Sequence, residues 1–324
     1  MRSILLLLFA ALCGRAAAQS PEDALRLSWF PQSGSARSIG IGGCMGSLGG
    51  DITSAFVNPA GLAQFRNPET MISLGFSRMN TRSIYRDSSL TNDKEAGLPT
   101  GPWGIIFANS RKTGRKNDAL SFAFCQKASF RNSKDYAGLN NYSSYSEQLA
   151  EEFAGSGYSI DAVLNSNSPL PYSAAPALYT YLIDTSTVNG STQVVGAPEY
   201  ILNAGQAIRQ RFHQDSRGGW YDMGISYGGT KDDKLLWGAT LGIPFLFYRS
   251  NTIVTEQDTS SSKTNGFESF TYTDHVSSDG VGFDLKAGII YRPADYFRIG
   301  LALHSPTFFS MTDKRTATLN TNLE

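Results

Sequence analysis

Nowhere does the sequence hold about 18 consecutive apolar residues, so no helix in it is long and apolar enough to cross a bilayer. Charge is scarce and balanced: Asp, Glu, Lys and Arg make up 17% of residues, and 28 basic side chains meet 28 acidic ones. Without a basic excess there is no footprint for nucleic acid. Cysteine is nearly missing. Cys13 lies in the leading segment, and Cys44 and Cys125 are too few to staple a disulfide scaffold, though one bridge between them in an oxidising envelope stays open. The only histidines are His213, His275 and His304. None stands in a Gly-x-Ser-x-Gly or His-Glu-x-x-His setting, so no enzyme activity, cofactor or metal site is expected.

What is present begins with an export signal. Arg2 supplies a basic start, Ile4 to Leu12 an apolar stretch, and Ala16-Ala17-Ala18 a small-residue cleavage site before Gln19. Residues 1–18 are therefore expected to be a signal peptide. A lipoprotein site at Cys13 competes, but Leu12 is bulkier than the residue such a site wants before its cysteine.

Alternation with period two then dominates, as in a sheet with two different faces. Ile72, Leu74 and Phe76 share a face, as do Leu120, Phe122 and Phe124, and Tyr221, Met223, Ile225 and Tyr227. Val281, Phe283, Leu285, Ala287, Ile289 and Tyr291 form the longest such row, opposite Gly282, Asp284, Lys286 and Gly288. Phe297, Ile299, Leu301 and Leu303 follow. Glycine, alanine and serine recur on the less apolar face, and aromatics such as Trp103, Trp220, Trp237, Tyr248 and Tyr296 sit near strand ends. Long strands with aromatic ends favour a transmembrane antiparallel β-barrel over a soluble sandwich.

Connections alternate long and short. Long loops are expected at 80–101, 131–219 and 251–278, and short ones at 110–117, 228–233 and 292–295. That gives seven strands. An odd count, with the chain ending on Asn322-Leu323-Glu324, implies a piece of a larger barrel. Within the longest loop, Tyr145 to Phe153 and Ala174 to Ile183 have helical spacing of apolar residues. These helices either pack on one another or offer an apolar landing surface.

Six glycines crowd into Gly40 to Gly50. A dinucleotide fingerprint fails because Met45 stands where its third glycine belongs, and the Gly-Lys-Ser/Thr of a P-loop is missing. The alternative is a tight, partly helical plug over residues 19–69, with Asn58 held out of helical space by Pro59.

Three stretches of this segment carry a resemblance: Ser35-Ala36-Arg37 to Gly43, Gly49-Gly50-Asp51, and Phe56-Val57-Asn58-Pro59-Ala60-Gly61-Leu62. They are similar to the amino-terminal hatch of the FadL family of outer-membrane transporters for long-chain fatty acids and aromatic hydrocarbons. Gly280 to Gly288, Tyr291-Arg292-Pro293, Arg298-Ile299-Gly300 and His304-Ser305-Pro306-Thr307 resemble two strands of that family. The resemblance implies a fourteen-stranded barrel in a Gram-negative outer membrane, with residues 70–324 forming its first half. It also implies passive passage of a hydrophobic small molecule, with lateral exit at a kinked third strand. Asn58, Pro59 and Ala60 would gate that exit against the third strand, Leu120 to Phe130, where Gln126 and Lys127 break the alternation. Lys127, Arg131 and Lys134 could meet a fatty-acid head group, or could be an ordinary basic rim. A related group serves type IX secretion as a protein shuttle, which is the alternative function. Apolar loops favour transport over the shuttle; no nucleic-acid partner is expected, and oligomeric state is left open.

Overall fold

The computed structural model describes residues 21–28, 31–86, 88, 91–111, 116–188, 191–260, 262 and 264–323. The expected signal peptide and Cys13 lie outside them. Two layers meet: a large antiparallel sheet, and a glycine-rich segment, residues 31–65, laid across one of its faces.

Among the described residues, thirteen strands follow seven long passes and one small hairpin. The first pass is β1 (Glu69–Met71) and β2 (Ser77–Ser83); the second is β3 (Thr91–Gly97) and β4 (Trp103–Arg111); the third is β5 (Lys116–Ser129) and β6 (Asn132–Asn140). After the hairpin β7 (Ile183–Val188) and β8 (Ser191–Gly196) come β9 (Ile208–Lys231), β10 (Leu235–Asp258) and β11 (Ser269–Ala294). The seventh pass is β12 (Phe297–His304) and β13 (Phe308–Asn322), both antiparallel to β11. The main sheet runs β1-β4-β5-β9-β10-β11-β12, with β6 on β9 and β13 on β11.

The strands are longer than their alternation suggests. The loop expected at 251–278 is strand to Asp258 and again from Ser269, and the loop expected at 131–219 contains β6 and the first part of β9. Likewise 80–101 is largely the hairpin of β2 and β3. In these outer portions both faces carry polar residues, such as Gln214 and Asp215 against Thr252 and Asn251, so the two-residue period disappears while the ladder continues.

Burial is inverted relative to a water-soluble sheet. On β5, β9, β10 and β11 the exposed row holds Leu120, Phe122, Met223, Ile225, Leu241, Phe247, Phe283 and Leu285. The buried row holds Ser121, Ala123, Gly224, Ser226, Thr240, Gly242 and Gly288. Small residues are required because the 31–65 segment lies against them. A methyl group at Gly238 would overlap the Pro59 carbonyl, and one at Gly288 would overlap Asn58 Oδ1. Gly228 meets the same turn, and Gly300 meets Gly46.

The long connection after β6 has its own core. The helix Tyr145–Ser156 starts with a capping box of Ser144 and Glu147 and buries Leu149 and Phe153. It packs with the helices Ile160–Leu164, Ala174–Tyr179 and Glu199–Asn203 against the outer parts of β10, β11 and β13, through Val254, Phe267, Phe270, Tyr272 and Leu319.

Candidate functional site

The 31–65 segment is held by its own short-range chemistry before it meets the sheet. Ser35 caps the first turn by accepting from Ser38 N, and its hydroxyl donates to Asp51 Oδ2 at 2.7 Å. Asp51 Oδ1 accepts from Thr53 N at 2.8 Å, so this buried carboxylate is the pin of the turn. Gly49 and Gly50 have φ of 64° and 68°, a backbone that side chains disfavour. Gln64 Nε2 closes the loop by donating to Leu48 O at 2.7 Å.

Asn58 is fully buried. Its oxygen accepts from Ala60 N at 3.1 Å and so caps the 3-10 helix Pro59–Gln64. Its amide donates to Gly46 O at 2.6 Å and to the carbonyls of Ile289 and Leu301 at 3.4 Å each. Those carbonyls belong to β11 and β12. The expectation that Asn58-Pro59-Ala60 anchors on the third pass is therefore corrected: Asn58 holds the sixth and seventh passes, and Pro59 and Ala60 pack on β9 and β10 across Gly228 and Gly238. The glycine positions decide this, because only there can backbone approach backbone so closely. Contact with the third pass is made instead by Ile52, Phe56 and Leu62, clustered with Ala119, Ala123 and Cys125. His304 Nε2 donates to Val57 O at 2.9 Å and Arg298 to Leu48 O at 3.0 Å, adding two ties to β12. Cys125 is buried and Cys44 exposed, and neither is in a disulfide.

The third pass does break where its alternation fails. Its register on β9 shifts between Gln126 and Ala128, and β5 gives way to β6 across Phe130 and Arg131. Opposite lies Gly218, with φ of 125°. On the other side the β4–β5 ladder ends at Trp103 and Phe124. Beyond it, β3 pairs only with β2 among the described residues. Gln126 bridges the parting by donating from its backbone to Thr100 O at 3.3 Å, while its side chain accepts from Thr100 N at 3.0 Å. A cavity of about 540 Å³ occupies the space, lined by Gln32 and Ser33 of the amino-terminal segment, Pro99, Gln126, Ala128 and Arg131.

The three basic residues singled out from the sequence do not converge. Lys127 turns to the buried face and pairs with Asp222 at 2.6 Å. Arg131 pairs with Glu95 at 3.5 Å at the cavity rim, and Lys134 is exposed on β6. Lys127 instead belongs to a group that sequence reasoning passed over. Lys286 pairs with Asp284 and stands 3.8 Å from Asp222, and all three are buried. Gly242 on β10 leaves the room that Asp284 and Lys286 occupy. Two cations and two anions from the third, fourth and sixth passes thus cancel. The signal was available: charged residues on the small-residue face of long alternating strands.

The loop helices turn their apolar faces into their own core, with Leu149, Phe153, Leu178 and Leu182 all buried. They pack on one another and are not a free landing surface. Buried Glu256 latches this layer to β10. It accepts from Ser144 Oγ at 2.5 Å, from Tyr145 N at 2.7 Å and from Gln210 Nε2 at 2.6 Å. Burial nevertheless pushes its carboxyl above the ordinary 4.5.

No family model, curated protein or solved structure matches the chain.

Proposed function

We propose that the chain is part of a FadL-like outer-membrane β-barrel. Residues 31–65 form its hatch, and hydrophobic small molecules such as long-chain fatty acids or aromatic hydrocarbons pass through it without covalent chemistry. Membrane residence is supported by the inverted burial. On β11 the exposed row from Val281 to Tyr291 spans about 34 Å along the strand, or about 26 Å across a bilayer at a strand tilt of ~40°. Polar groups bound this row: the Asp279–Arg249 pair on one side, and Arg292 with the turn at Asp295 and Tyr296 on the other.

The observation that carries transport is the cavity at the parted second and third passes. It lies between the amino-terminal segment and the outside of the sheet, where a greasy molecule leaving the interior sideways would have to go. Ser129 lines it, and Ser129→Trp should fill it. Uptake of a labelled long-chain fatty acid by cells carrying this variant should fall several-fold at matched surface level. Unchanged uptake would count against this route.

One observation favours the shuttle reading instead. With their apolar faces turned inward, the loops expose tyrosines, including Tyr142, Tyr179 and Tyr181, a polar and aromatic surface suited to a protein. A strain lacking the gene that keeps fatty-acid uptake but retains unprocessed secreted proteins would decide for the shuttle.

A further inference from the structure

Just beyond the exposed apolar row, on the side of the long loops, the outer surface carries a line of cations. Arg217 on β9 stands directly opposite Arg249 on β10, Arg249 opposite Ser277 on β11, and Ser277 opposite Lys314 on β13. Alternation puts all four on the outward face, and Arg217, Arg249 and Lys314 are exposed. Only Arg249 has its charge answered. Both oxygens of Asp279 accept from its Nη2 at 2.9 Å. Asp215, the other acid nearby, is engaged by His213 at 3.2 Å. Among the described residues Arg217 and Lys314 make no ion pair. Arg217 and Lys314 are thus the unanswered cations of the line, charges that an anion seated over it would offset. A concavity of about 350 Å³ lies here, lined by Arg217, Arg249, His275 and Lys314 and, at one side, by Asp215.

We propose that this concavity binds the phosphorylated headgroup of a glycolipid of the outer leaflet, an inference that rests on the membrane reading above. Its acyl chains would lie on the apolar row beginning at Phe247, Phe245 and Val281. Arg217 and Lys314 are three strand spacings apart, about 14 Å at ~4.8 Å each, which suits a disaccharide phosphorylated at both ends better than one small anion. The Arg249–Asp279 pair sits between them as a neutral divider. Guanidinium and ammonium groups at this height meet the phosphate layer, where each basic residue strengthens binding.

The test uses the full chain purified from outer membranes in detergent and native mass spectrometry. Three probes are offered: diphosphorylated lipid A, the same lipid stripped of phosphate, and inorganic phosphate. The diphosphorylated lipid should remain bound one to one, the stripped lipid should be lost, and inorganic phosphate in excess should leave the lipid complex intact. Arg217→Gln with Lys314→Gln should weaken retention roughly thirtyfold, the loss of two basic contacts at a membrane surface. Arg217→Lys with Lys314→Arg should hold the lipid as the wild type does. Equal retention by the Gln pair, in protein that still fractionates with the outer membrane and migrates heat-modifiably, overturns the inference and leaves the membrane reading standing. Displacement of the lipid by inorganic phosphate alone overturns the lipid as occupant. Recovery of the protein in the soluble periplasm overturns both.

Discussion

Asn58 satisfies two demands at once, capping the helix that follows it and tying that helix to the carbonyls of two strands. Asn58→Ala removes the cap and leaves the bonded carbonyls without their donor, costing about 1–3 kcal/mol. Gly288→Ala should be at least as severe, because the new methyl overlaps the Asn58 oxygen in a layer with no slack, an overpacking cost of about 1–3 kcal/mol. Both are read as a lower temperature of heat modification for protein in detergent. Opposite behaviour is expected of the buried charges. Lys127→Met strands Asp222, for which removal of one partner costs about 3–5 kcal/mol, and adding Asp222→Leu should recover much of that loss. A double variant no more stable than Lys127→Met would mean that Lys286, 3.8 Å away, had already taken over Asp222.

At the scale of elements, the latch between the helix Tyr145–Ser156 and β10 gives the outer layer a pH dependence. The carboxyl of Glu256 is raised by burial, so as pH climbs from about 4.5 the unfolded layer releases this proton before the folded one does. The folded layer then holds more protons, and its stability falls with pH until the raised value is passed. Glu199 adds to the same trend, because burial, with Glu147 and Glu151 nearby, raises it too. Glu256→Gln keeps an acceptor for Ser144 and Tyr145 but does not titrate. Hydrogen exchange of this helix should become faster as pH rises from about 4.5 in the wild type, beyond the intrinsic rate, and do so much less in the Gln variant. Equal slopes would remove Glu256 as the cause. This helix was legible because Ser144, Glu147, Leu149 and Phe153 are local signals within one window. Glu256 was not, since nothing within its own strand marks it as a cap for a helix more than a hundred residues away. The strand ends were illegible for a related reason: a ladder in water needs no apolar face, so β10 beyond Ser250 looks like a loop. The break of the third pass could be read at Gln126 and Lys127, where the alternation itself fails. The seat of Asn58 could not, because glycines on four different strands jointly decide it.

For the whole molecule, one question separates a membrane protein from a soluble sheet: what surrounds the outward row of β11. Leu285 is 57% exposed, with Val281, Phe283 and Ile289 similarly open. Were water outside, an arginine there would be one more exposed surface residue, changing stability by no more than about 0.5 kcal/mol at any position. In a bilayer, cost follows depth. Arginine is opposed by about 2–4 kcal/mol at the midplane of a transmembrane barrel and by about 0–1 kcal/mol near the interfaces. Leu285 and Ala287 lie near the middle of the row from Val281 to Tyr291, whereas Tyr291 lies next to Arg292 at the strand end that leads into the turn at Asp295, and Asp279 marks the other edge with its Arg249 partner. Leu285→Arg should therefore cost the most, Ile289→Arg and Val281→Arg less, and Tyr291→Arg least, a profile that rises and falls along one strand face. The full chain carrying each variant is folded into phospholipid vesicles, and the denaturant midpoint is measured at fixed lipid. The neighbouring buried row is the internal contrast. Lys286 already places a cation one residue from Leu285, tolerated because Asp284 and Asp222 answer it on the inner side. In a bilayer the same charge moved by one position would meet lipid and no counterion. A flat profile across Val281, Leu285, Ile289 and Tyr291 would mean that water wets this face and that the chain is no membrane barrel.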